Sequence, residues 1–194
     1  MWVCATENRI VALAAVCIIC VSSVLLKPVV AQKRRTVEVP KEIVQQLIND
    51  KELKELIKLR PGGSAENLVA EPIDLNDDGK PELEVHGIGS GICGAANCVT
   101  WIYRKTANGY QMLLDADIIQ RVEPQKTFTK GYRDIITSMH GSAWDSDLTL
   151  YKFDGKQYRR MGCYFRTYRY KDKRGSYHES KRPKITRAKC EQEQ

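Results

Sequence analysis

The sequence predicts an α+β protein, with N-terminal amphipathic helices packed on an antiparallel, repeat-derived β-sheet with hairpins. Three observations predict it. Apolar residues recur at helical spacing between residues 40 and 60. Short apolar runs separated by Gly, Asn and Asp turn signals fill the chain after Gly63. The second group of those runs repeats the order of the first.

The helical segment begins at Pro40, a residue that the first turn of a helix tolerates. Ile43, Val44, Leu47 and Ile48 follow at a spacing that places them on one face. Asp50 is suited to cap a second segment, with Leu53, Leu56 and Ile57 as its buried stripe, and Pro61-Gly62-Gly63 ends it. The expected role of both helices is to cover one face of a sheet.

Strands are expected at residues 83–88, 99–104 and 110–114, the last two joined by Ala107-Asn108-Gly109 as a hairpin. A second set is expected at 134–139, 148–153 and 158–161, with Asp154-Gly155-Lys156 at its turn, and 118–122 adds one more. GKPELEVHG (79–87) resembles GYRDIITSMHG (131–141), and WIYRKTANGYQML (101–113) resembles LTLYKFDGKQYRRM (148–161). In each unit an acid opens a strand, His-Gly closes it, and a hairpin leads to a tyrosine. Such units bury their faces against one another.

The stretch DLNDDGKPE (74–82) places oxygen ligands at alternate positions before a glycine. Asp74, Asn76 and Asp78 can face one concave loop that turns on Gly79, which is the ligand chemistry calcium takes. The twelfth position of an EF-hand would fall on Val85 instead of a bidentate glutamate, so the loop is a shorter one. An Asx-rich turn without metal is the alternative reading. With the strand and Asn-Gly hairpin beyond it, this run resembles the FG-GAP or VCBS type of secreted repeat. The resemblance implies structural calcium at the edge of a blade-like antiparallel sheet, held by Asp74, Asn76, Asp78, the backbone carbonyl of Lys80, and Glu82. The chain has room for about two such units, fewer than a closed propeller needs.

Residues 1–31 read as a signal peptide. A short polar start ends at Arg9, an apolar run follows, and Val29-Val30-Ala31 offers small residues for cleavage. An uncleaved single-span anchor is the alternative. Neither Cys17 nor Cys20 follows the small residue a lipobox needs. Residues 32–194 then form one secreted or periplasmic domain: a flexible start (32–39), a helical part (40–60), a β-rich part (74–170) and a basic tail (171–194). Cleavage leaves no stable membrane span and four cysteines, which in an exported chain favour two disulfides. Cys93 and Cys98 bracket the small loop GAAN and are expected to pair, leaving Cys163 for Cys190. The spacing lacks a CxxC pair for zinc.

Charge is distributed unevenly. From residue 156 to 190 there are thirteen Lys or Arg and two acids, a balance of +11, whereas residues 32–155 balance at −3. Tyrosines and a phenylalanine interleave the cations. This mixture suits polyanions, and Arg166, Arg169, Lys171, Lys173 and Arg174 are the candidate contacts. The same composition also suits a solvated edge strand whose cations discourage pairing. In an exported chain, cell-envelope polyanions come ahead of nucleic acid, and an envelope protein is the other expected partner.

Catalytic signals are sparse. His86 and His140 each precede a glycine, and Asp145 and Asp147 lie near the second. Ser142 lies in GSAWD, which is not the GxSxG elbow, and GIGSG (87–91) matches neither a phosphate loop nor a dinucleotide fingerprint. The expected function is a secreted or envelope-associated non-catalytic binding protein. The alternative is a secreted hydrolase or hydrolase inhibitor using the loops around His86 and His140.

Overall fold

The structure is a computed structural model and describes residues 35–190. The predicted leader, residues 1–31, lies outside the described residues. The elements follow in the order α1 (Lys41–Leu47), α2 (Lys51–Leu56), β1 (Leu68–Ile73), β2 (Glu82–Gly87), β3 (Cys98–Thr106), β4 (Gly109–Ile119), β5 (Arg121–Thr129), β6 (Tyr132–His140), β7 (Asp145–Phe153), β8 (Tyr158–Lys171) and β9 (Tyr177–Ala188).

Strand makes up 58% and helix 8%, so the α+β expectation is corrected to a mostly antiparallel β architecture, a sandwich or half-barrel. Both helices are short. In α1, Ile43, Val44 and Leu47 are buried as their spacing requires. The Asp50 carboxylate caps α2, accepting the N–H groups of Glu52 and Leu53 at 2.9 and 3.1 Å. The expected apolar stripe of α2 forms only in part, because six residues make less than two turns; Leu53 is half-buried against the core that takes up Ile43 and Leu47. No residue of α2 is fully buried; Leu56 is exposed, and Ile57 is buried only beyond the helix.

The single repeat-derived sheet is also corrected. The two halves of the pattern fall in different sheets, β1-β2-β3-β4 and β5-β6-β7-β8-β9, with every neighbouring pair antiparallel. The physical reason lies in β3, where Thr100, Trp101, Ile102 and Tyr103 are buried in succession. A strand buried on both faces needs a layer on each side. Trp101 and Tyr103 share a core with Ile43, Val44, Leu47, Ala70 and Val85. Ile102 joins Leu114, Ile135, Tyr151, Phe153 and Tyr158 in a second core between the sheets.

The chain passes from the first sheet to the second at Gln120, whose N–H donates to the Ser138 carbonyl at 2.7 Å. This break divides the strand expected at 118–122 between β4 and β5. Residues 177–188 of the basic tail are strand β9, paired with β8.

Candidate functional site

The acidic loop joins β1 to β2. The Asp74 carboxylate accepts the N–H groups of Asn76, Asp77 and Gly79 at 3.4, 2.8 and 3.2 Å. Asn76 Oδ1 accepts from the Asp78 N–H at 3.1 Å, and its Nδ2 donates to Asp78 Oδ2 at 3.0 Å. Asp78 Oδ1 accepts from the Lys80 N–H at 2.6 Å. Gly79 supplies the left-handed backbone the turn needs, with φ +75°. These bonds close a series of Asx turns. Among the described residues, no group of three or more His, Cys, Asp or Glu side chains is arranged to hold a metal.

The loop docks on the start of β6 in the other sheet. Arg133 donates to both Asp77 carboxylate oxygens, at 2.9 and 2.7 Å through Nη2, and its N–H donates to the Leu75 carbonyl at 2.7 Å. Its guanidinium also lies 4.6 Å from the Phe128 ring centroid. Beside it, the Tyr132 hydroxyl donates to Glu82 Oε1 at 3.3 Å and accepts from Arg104 at 3.2 Å. The loop therefore fastens one sheet to the other.

Glu82 opens β2 and Asp134 is the third residue of β6, and both are 2% exposed. Burial pushes the Glu82 carboxyl up, against the opposing hydrogen bonds from the Leu75 backbone and Tyr132. Burial acts in the same sense on Asp134, but the Thr129 and Thr127 hydroxyls and the Lys152 ammonium together hold it below its ordinary range. Lys152 Nζ lies 3.3 Å from Asp134 Oδ2, and the hydroxyls bond at 2.6 and 2.7 Å.

The basic segment is an antiparallel ribbon of β8 and β9. Its upper part, from Arg169 to Lys171 and from Tyr177 to Glu179, runs past the last β7 partner of β8, Thr167. The five candidate cations separate into two groups. Arg169 is engaged with the Asp145 carboxylate, and half-buried Arg166 reaches the Ser146 hydroxyl at 3.4 Å. Lys171, Lys173 and Arg174 are exposed at and beside the turn. Lys171 Nζ and the Arg169 guanidinium lie 5.0 and 5.2 Å from the centroid of the exposed Tyr177 ring. Tyr170 stacks on His178 at 5.5 Å, and His178 Nε2 meets Asp172 at 2.9 Å. No family model matches the chain, and neither does any curated protein or solved structure.

Asp145 serves the β6–β7 turn. Its carboxylate accepts from Thr167, Ser142 and Arg169, and these contacts, Thr167 foremost, hold it below the ordinary carboxylate range. Asp147 instead lines a cavity between the sheets whose wall includes neither histidine. His140 is tied through its backbone to Asn97, which accepts its N–H at 2.7 Å and donates to its carbonyl at 3.0 Å. The four cysteines pair as Cys93–Cys98 and Cys163–Cys190. Glycine is needed at Gly87, where an added Cβ would stand 2.8 Å from the Ile92 side chain. Sequence reasoning missed the latch of Arg133 on Asp77, fifty-six residues away, which carries no local signal.

Proposed function

We propose that this chain is a secreted or envelope-associated, non-catalytic binding protein whose β8–β9 ribbon holds an anionic polymer of the cell envelope. Two disulfides suit an oxidising compartment, and among the described residues no helix is long and apolar enough to cross a membrane. The observation that carries the reading is where the cations stand. Blocking unwanted pairing at an edge requires charge on β9, the outermost strand, where Pro183 and several Lys and Arg already stand. It does not require Lys171 on β8, or Lys173 and Arg174 at the turn. Cations beside the exposed ring of Tyr177 suit an anionic sugar chain, which offers charge to one and an apolar ring face to the other.

Heparin is the probe. Replacing Lys171, Lys173 and Arg174 together by Gln should shift elution from a heparin column to clearly lower salt. Removing the same charge at Lys41, Lys51 and Lys58 should shift it far less. Equal shifts would reduce the ribbon to a contributor of net charge.

We infer in addition that the Asp74–Glu82 loop takes calcium as a structural clip, through Asp74, Asn76, Asp78, the Lys80 carbonyl and Glu82. The comparison of the two buried acids supports this reading. Lys152 supplies positive charge to Asp134, and a cation in the loop would supply it to Glu82. Calcium should raise the melting temperature, and Asp74→Ala should abolish the rise. A parent protein indifferent to calcium would exclude the clip.

A further inference from the structure

We propose that the outer face of the second sheet carries a subsite for one acidic sugar unit, built on Tyr164 and flanked by Arg166 and Arg187. The proposal rests on the reading of an anionic envelope polymer, and it adds a place that recognises the sugar ring itself.

Register puts these residues together. Ile135 and Tyr151 belong to the core between the sheets, so Leu148 and Leu150, of the opposite parity on β7, face away from it. Tyr164 pairs with Leu148 and Gly162 with Leu150, and directly paired residues share a face. Arg187 pairs with Tyr164, and Ile185 pairs with Arg166, two residues further along β8. Gly162 makes room for the ring. A Cβ added there would stand 3.3, 3.4 and 3.6 Å from Oη, Cε2 and Cζ of Tyr164, so the ring lies back along the strand over the glycine. The residue is half-buried, and its open part offers an aromatic surface to the apolar face of a sugar.

Charge selects an acid. Measured between backbones, Arg187 stands about 5 Å across the strands from Tyr164 and Arg166 about 7 Å along β8. Arg187 is exposed, and Arg166 donates to the Ser146 hydroxyl at 3.4 Å while its buried Nε has no partner. The acids on this face are already neutralised, Glu123 by Arg121 at 3.8 Å and Asp134 by Lys152 at 3.3 Å. Both flanking cations are arginines, whose planar fork matches a carboxylate or sulfate. Ile185, 55% exposed beside them, adds apolar contact. An uncharged sugar leaves the guanidinium groups idle, and a bare anion leaves the ring and Ile185 idle. An acidic sugar uses all four side chains.

The test is a titration of the purified chain with a heparin disaccharide, read by nuclear magnetic resonance at the Ile185 methyl groups and the Tyr164 ring. This probe is shorter than the stretch of β8 from Tyr164 to Lys171, about 23 Å, so it cannot bridge to the ribbon turn. Both signals should shift. Arg187→Gln should weaken binding about tenfold, the loss of one charge-assisted contact, whereas Lys184→Gln, on the same strand but paired with Thr167 on the opposite face, should change it by less than about twofold. Tyr164→Phe should keep the binding, and Tyr164→Ala should weaken it about tenfold. Replacing Lys171, Lys173 and Arg174 by Gln should leave the disaccharide affinity unchanged, so failure of the subsite and failure of the ribbon are read separately. Arg187 and Lys184 are exposed, so their variants should fold. Equal losses in those two variants, shifts confined to the ribbon, or no binding at about 10 mM would overturn the proposal.

Discussion

Glu82 and Asp134 occupy corresponding places in two sheets, and their partners send them in opposite directions. A carboxyl whose folded pKa is raised keeps its proton longer in the folded state than in the unfolded chain. The folded state then loses stability as pH climbs from the ordinary Glu value of about 4.3 towards the folded one. Glu82→Gln removes that loss while keeping an acceptor for the Leu75 N–H, which bonds the carboxylate at 3.0 Å. In the presence of a chelator the variant should melt above the parent near neutral pH, with the gap closing towards pH of about 4. A variant that melts lower at neutral pH would mean that the ionised carboxylate is compensated inside the protein. Asp134 contributes in the opposite sense, because its stabilisation is present at neutral pH and is lost as pH falls.

Individual elements differ in how plainly the sequence announces them. Asp50 as a cap, the Ala107-Asn108 turn and the two cysteine pairs rest on local chemistry, and they stand in the structure as expected. β1 is not announced because Pro72 interrupts its apolar run, whereas β9, with dense charge and Pro183, is the edge strand that the composition of the basic segment also allows. Leu56 falls outside the expected helix stripe because periodicity does not say how many turns survive. Tertiary pairing decided all three. The β9 edge depends on its tether, Cys163–Cys190, which closes 27 residues, whereas Cys93–Cys98 closes 5. On the chain-entropy model, replacing both cysteines of the long loop by Ser should cost about 3–4 kcal/mol in urea unfolding, and of the short loop about 2 kcal/mol. The reverse order would show that the Cys93–Cys98 loop carries strength of its own, through Asn97 and His140.

At the scale of the whole molecule, one sheet is enclosed between α1 and a second sheet, and the loop of Asp77 and Glu82 fastens the two sheets through Arg133 and Tyr132. The acidic part of the chain thus holds the fold, and the excess positive charge stands on the ribbon at its margin. That separation was legible in the charge balance of residues 156–190, but the division of the cations was not. Nothing local in Arg169 announces Asp145, twenty-four residues earlier. The most direct test is the affinity of the chain for heparin as a function of salt concentration. If the ribbon holds the polymer by charge, the logarithmic salt slope should fall by about two to three when Lys171, Lys173 and Arg174 become Gln, as the counterions those contacts release are lost. An unchanged slope in that variant, with a reduced one after replacing Lys41, Lys51 and Lys58, would contradict the ribbon as the binding face.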